Sequence, residues 1–177
     1  MTTQQVALLR AVNVGKRRVE MARLRTELED LGFDDVWTYI NSGNAIFRSD
    51  RPASELEALI EARLDEVFGF TVETFVRTAR HIQDVAERSP FGTIAPGTTH
   101  LVAFVRDAPD AEGRAAIEAL SGPSDQLQVI DAEVHWWIDG KSLDTALKPR
   151  DWKQAGATLN TTRNTTMLRK LSDRLSP

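Results

Sequence analysis

An α+β chain of two ferredoxin-like (β-α-β-β-α-β) units, with antiparallel sheets covered by helices, is the fold class the sequence predicts. Three observations predict it. Apolar patterning over residues 1–77 runs strand, helix, strand, strand, helix, strand, the order of the split βαβ unit. The same order starts again after residue 98. Between the two lies a stretch with Pro90, Gly92, Pro96 and Gly97, the composition of a linker. The expected division is therefore 1–77, a helix and linker over 78–98, and 99–177 with a closing C-terminal helix.

Each element has its own signal. Val6-Ala7-Leu8-Leu9 is a short apolar run suited to a buried strand. Met21, Leu24, Leu28 and Leu31 recur at helical spacing before Gly32, so residues 21–31 read as a helix. Val36 to Ile40 is β-branched and aromatic, Asn41-Ser42-Gly43-Asn44 is a turn, and Ala45-Ile46-Phe47 is the return strand. Ser54-Glu55-Leu56-Glu57 reads as a capping box ahead of the stripe Leu56, Leu59, Ile60, Leu64, Val67 and Phe68, with Gly69 as the stop. Residues 71–76 make a strand, and 78–88 a helix capped by Thr78.

The second half repeats the logic. Leu101 to Val105 is a buried strand and 109–120 an alanine-rich helix. Residues 127–130 and 134–138 form a hairpin around Asp131-Ala132-Glu133. A helix is expected to start at 142–147 and break near Pro149. Residues 158–161 are the last strand, and 163–175 the closing helix, with Leu168, Leu171 and Leu175 in register.

Composition narrows the function classes. The 177 residues carry 22 Lys+Arg against 26 Asp+Glu, a net charge of −4, which opposes coating of a phosphate backbone. No cysteine is present, so disulfides, thiol nucleophiles and thiolate metal sites are excluded. No apolar run approaches the roughly 20 residues of a membrane span, and the first residues lack a signal-peptide pattern. The expected compartment is the cytoplasm, with no membrane partner. Oligomeric state is not readable.

Familiar catalytic and cofactor motifs are missing. There is no G-x-x-x-x-G-K-[ST], G-x-G-x-x-G or G-x-S-x-G. His81, His100 and His135 are far apart and have no metal-like spacing, so they read as structural, with His135 partly exposed on its hairpin. No cofactor, metal or catalytic dyad is assigned. Adjacent Trp136 and Trp137 must face opposite sides of one strand.

Three segments carry more polar chemistry than their local structure needs. The first is Arg10 to Arg18, between the first strand and first helix, where backbone N–H groups and the helix dipole favour an anion and four cations lie in nine residues. The second is Asn41 to Asn44, richer in amide and hydroxyl groups than a plain turn. The third is Thr161 to Thr166, where Arg163 in a first helical turn opposes the dipole. The candidate ligand-binding residues are Arg10, Asn13, Gly15, Lys16, Ser42, Gly43, Asn44, Arg163 and Asn164. Arg10, Lys16 and Arg163 would supply charge. The asparagines and Ser42 would orient the ligand, and Gly15 and Gly43 would permit close backbone approach.

These residues also carry a family resemblance. Ala7 to Lys16 with Val19 and Met21, Leu24, Leu28, Leu31-Gly32-Phe33 and Val36, then Thr38 to Phe47, and finally Thr161 to Asn164, resemble the bacterial "domain of unknown function 1697" family. The resemblance implies a two-unit α+β protein with ferredoxin-like halves and names no activity. Ala11 and Lys16 stand where family members usually carry glycine. Thr165-Thr166-Met167 replaces the usual Trp-Asn-Thr after Arg163-Asn164.

The leading reading is a protein with a polar, anion-accepting pocket for a phosphate-bearing small molecule or nucleotide. One alternative is a single-stranded nucleic-acid module that uses Trp37 and Tyr39 on a sheet face. The other is a protein-interaction domain anchored by an outward indole.

Overall fold

The computed structural model describes residues 2–41 and 43–176. The chain forms two compact units. One takes residues up to Ala86 together with those from Arg169 onward, and the other is Glu87–Leu168.

The first unit comprises β1 (Thr3–Leu9), α1 (Met21–Asp30), β2 (Asp34–Tyr39), β3 (Asn44–Ser49), α2 (Ala53–Phe68), β4 (Thr74–Thr78) and α3 (Ala79–Glu87, whose last residue falls beyond the division). The sheet is antiparallel in the order β2-β3-β1-β4. Ala7 lies opposite both Ala45 and Val76. That row, with Leu9 and Phe47, packs on Leu24 and Leu28 of α1 and on Leu56, Ile60 and Leu64 of α2. Burying each of these leucines and isoleucines is worth about 1.5–3 kcal/mol. The alternate residues Val6, Leu8, Ile46 and Phe75 are buried too, which is why β1 reads as a continuous apolar run rather than an alternating one.

The second unit holds β5 (Thr99–Val105), α4 (Ala111–Glu118), β6 (Asp125–Ile130), β7 (Glu133–Ile138), α5 (Pro149–Gln154), β8 (Asn160–Asn164) and the start of α6 (Thr165–Ser172). Its sheet order, β6-β7-β5-β8, is that of the first sheet with each strand replaced by its counterpart. Leu101, Ala103, Val134, Trp136 and Ile138 pack on Ile117 and Trp152.

In both units a helix carboxylate closes an edge strand. On β4 the N–H groups of Thr74 and Val76 donate to Glu61 Oε1 (2.8 Å) and Glu57 Oε1 (2.9 Å) of α2. On β6 the Val129 N–H donates to Glu118 Oε1 (2.9 Å), and the Leu127 N–H to Ser121 Oγ (3.0 Å). Unpaired edge amides are templates for aggregation, and these acceptors remove them.

The same bonds correct the expected capping box. Pro52, not Ser54, is the cap residue of α2 and has no polar side chain to cap it, while Glu57 is engaged with the β4 edge. Three further expectations shift. The helix placed at 142–147 is irregular chain, and α5 starts instead at Pro149, whose fixed φ suits a first helical position. Arg163 lies in β8, opposite Val102, rather than in a helical turn. His135 is fully buried, not partly exposed.

The irregular segment between β7 and α5 hangs on Asp125. Its carboxylate accepts from Trp136 Nε1 (2.8 Å), Thr145 Oγ1 (2.5 Å) and the Ala146 N–H (2.9 Å). Asp125→Ala strands three donors, so urea denaturation should show a loss of about 1–3 kcal/mol.

Candidate functional site

Leu9 is the last residue of β1, and the chain beyond it is held at once. The Leu9 N–H donates to Gly43 O (2.8 Å) and the Arg10 N–H to Glu73 O (2.8 Å). Ala11, Asn13 and Gly15 then adopt left-handed φ values of 53°, 56° and 60°. This alternation curls the loop, and a Val14–Arg17 bridge closes its tip. Asn13 is the clasp. Its Nδ2 donates to Val19 O (3.1 Å) and to Asn41 O (2.9 Å), while its Oδ1 accepts from the Val19 N–H (3.0 Å).

The loop after β1 and the β2–β3 turn therefore touch. Gly43, at φ 76°, sits where a Cβ would stand 2.9 Å from Leu9 Cβ and run into the Val12 side chain. The absent side chain makes room for protein rather than ligand. Asn44 is buried and donates from Nδ2 to Tyr39 O (2.9 Å), closing the turn. Ser42 lies outside the described residues.

The charged residues have separate fates. Arg10 pairs with Glu73 (3.2 Å), and Arg17 lies 5.4 Å above the Phe70 ring. Lys16 is exposed at the loop tip and makes no ion pair with the described residues. Arg18, which sequence reasoning placed in the loop but not in the site, lines a cleft of about 600 Å³ together with Asn13, Asn41 and the Glu20–Ala22 entry to α1. That helix start has no side-chain cap and no acidic residue in its first turn.

Arg163 and Asn164 belong to β8 of the second unit. The buried Arg163 donates from Nη1 to Thr161 Oγ1 (2.8 Å) and Thr162 O (3.0 Å), and burial lowers its guanidinium to about 10. Asn164 Oδ1 accepts from the Thr166 N–H (2.8 Å), the geometry of a cap on α6.

Sequence reasoning missed a buried polar cluster in the second unit. His100 Nε2 and His135 Nδ1 are 3.1 Å apart, a hydrogen bond between the two rings. Phe91 packs edge-on to His100, and Arg88 pairs with Asp131 (2.8 Å) and, more distantly, with the buried Glu133 (3.6 Å). The available signal was parity: Glu133 and His135 share one strand face, opposite Val134 and Trp136. Burial first, then His100 and Arg88, push His135 down to about 4. Among the described residues no group of three His, Asp or Glu is placed to hold a metal, and no helix is long and apolar enough to cross a membrane.

Residues 1–135 match the family described as protein of unknown function (DUF1697). The chain belongs to the DUF1697 family. The match covers the loop after β1 and the β2–β3 turn, and ends before Thr161–Asn164. This DUF1697 chain is also similar, over 99% of its length and 99% of the other's, to a conserved bacterial protein from Streptococcus pneumoniae, with a TM-score of 0.79 and 24% identity. That likeness speaks for the fold. No curated protein matches.

Two predictions follow from the geometry of this DUF1697 protein. Ala11 occupies a left-handed φ that suits glycine, as the family resemblance expects there, whereas Lys16 does not. Ala11→Gly should therefore raise stability by about 0.5–1 kcal/mol in urea titration, strain relief outweighing lost chain stiffness. His135 is lowered in the folded state, so its contribution is whole above its unfolded pKa of about 6.5 and fades as pH falls toward about 4. His135→Gln should flatten the fall in stability between about pH 6.5 and 5.

Proposed function

We propose that the protein binds a phosphate-bearing small molecule in the cleft at the start of α1. The observation that carries this reading is the open first turn of α1. Its leading N–H groups have no side-chain cap and no acidic residue within the first turn, and they border a cleft lined by Arg18 and by the cap residue Glu20. Unsatisfied N–H groups and the positive end of the dipole favour an anion there. Both Asn13 amide protons are spent on Val19 and Asn41. Asn13 and Gly43 thus shape the cleft, while Arg18 and the α1 amides meet the ligand and Lys16 adds charge from the rim.

The single-stranded nucleic-acid alternative needs an open aromatic sheet face. Trp37 and Tyr39 lie in register with Ile46 and Asn44, on the face of Val6, Leu8 and Phe75, where those neighbours are buried. Arg174 of the same unit lies 5.2 Å over the Tyr39 ring. These features favour the small molecule.

A melting experiment with pyrophosphate and with a nucleoside triphosphate tests this. At about 100 times its dissociation constant a ligand should stabilise by roughly 2.7 kcal/mol. Arg18→Gln should remove most of that shift and Lys16→Ala a smaller part. A protein whose melting neither compound moves does not have this function.

A further inference from the structure

We infer that a second phosphate site lies at the other end of the first sheet, beneath the start of α2. A pocket of about 370 Å³ opens there, lined by Gln5 of β1, Arg51 and the Pro52–Ala53 entry to α2, Arg77 and Thr78 of β4, and His81 of α3. All of these belong to the first unit. The described walls carry arginine and histidine and no carboxylate.

Two independent features point to an anion. The first is the helix. Hydrogen bonding within α2 begins with the Leu56 N–H on Pro52 O (3.0 Å), and no side chain caps the turn before it. The amides of Ala53, Ser54 and Glu55 are left without an acceptor from the helix. The second is Gln5. It is only 6% exposed and lies in register with Phe47 and Thr78, on the side of the sheet that α2 covers. Its side-chain amide lines the pocket and has no hydrogen-bond partner among the described residues.

A carboxamide in so enclosed a residue, with no partner among the described residues, is available to donate to a phosphate oxygen in the pocket it lines. Arg51 supplies charge. Its link to Glu55 is a 3.4 Å exposed pair, weak enough for a stronger anion to displace. The volume fits a phosphate group with a small substituent, so both inorganic phosphate and a phosphate monoester are accommodated.

The test is a titration of the ¹⁵N-labelled full chain with inorganic phosphate, with glycerol phosphate, and with chloride at matched ionic strength. The Ala53 and Ser54 amides should shift saturably with a phosphate and not with chloride. Tighter binding of the ester would identify a metabolite site, and tighter binding of the free ion a phosphate sensor. Arg51→Gln should weaken binding about tenfold or more, the worth of one charge-assisted hydrogen bond. Gln5→Leu should weaken it as well. Arg18→Gln, at the α1 cleft, should leave these shifts unchanged. Unmoved Ala53 and Ser54 amides in the wild-type chain, equal affinity in Arg51→Gln, or loss of the shifts in Arg18→Gln each overturn the inference. The first two outcomes leave the α1 cleft unaffected.

Discussion

Everything in the first unit is arranged around β1, a strand buried on both faces with a partner on each side. Its side chains are almost wholly apolar from Val6 to Leu9, so water can satisfy none of its backbone groups, and the ladder to β3 and β4 must do so. That requirement extends past the strand. Leu9 and Arg10 still donate to Gly43 and Glu73, on opposite neighbours. The chain is thus pinned between the β2–β3 turn and the entry to β4 at the point where it must leave the sheet. The left-handed residues that follow are the means of leaving within a few residues. Asn13 then ties the loop back to Val19 and to Asn41 of the turn.

This explains which parts were legible in the sequence. Strands and helices announced themselves because their burial is periodic: Leu24 and Leu28, or Leu56, Ile60 and Leu64, can serve one core only as a helix. Gly69 ended α2 at φ 73°, as a glycine after an apolar stripe should. The failures share a cause. Glu57 looked like part of a capping box because Ser54 stood three residues before it. The competing donor, the Val76 N–H, is 19 residues away and belongs to an edge that exists only in the folded sheet. Thr145 and Ala146 looked helical locally, but their polar groups are taken by Asp125, 20 and 21 residues back.

The candidate site was legible in outline and mis-weighted in detail. Position could be read because a β-α-β-β unit brings the end of its first strand to the turn before its third. The roles could not. Asn13 and Gly43 carry the polar and permissive chemistry expected around a ligand, yet the fold consumes both, one as a clasp and one as a gap for Val12. Arg10 is drawn to Glu73 and Arg17 to Phe70. Whether a cation in a loop is spent or spare depends on partners distant in sequence. Sequence spacing alone ranks Arg10, Lys16, Arg17 and Arg18 as equals.

Comparing the two units sharpens the case for the α1 cleft. The Val105 N–H donates to Ala132 O (3.0 Å), as the Leu9 N–H does to Gly43 O. From that shared point the units diverge. After β5 the chain takes five residues to reach α4, and Asp110 caps it, accepting from the Gly113 N–H at 2.8 Å. After β1 it takes eleven residues to reach α1, which has no side-chain cap. One helix start is closed by its own aspartate, as stability alone would favour. The other is left open at the end of a longer, basic loop held in place by Asn13. An uncapped helix start costs about 0.5–2 kcal/mol relative to a capped one. Of these two matched helix starts, the one that carries that cost is the one whose loop brings Arg18 to the cleft beside Asn13 and Asn41.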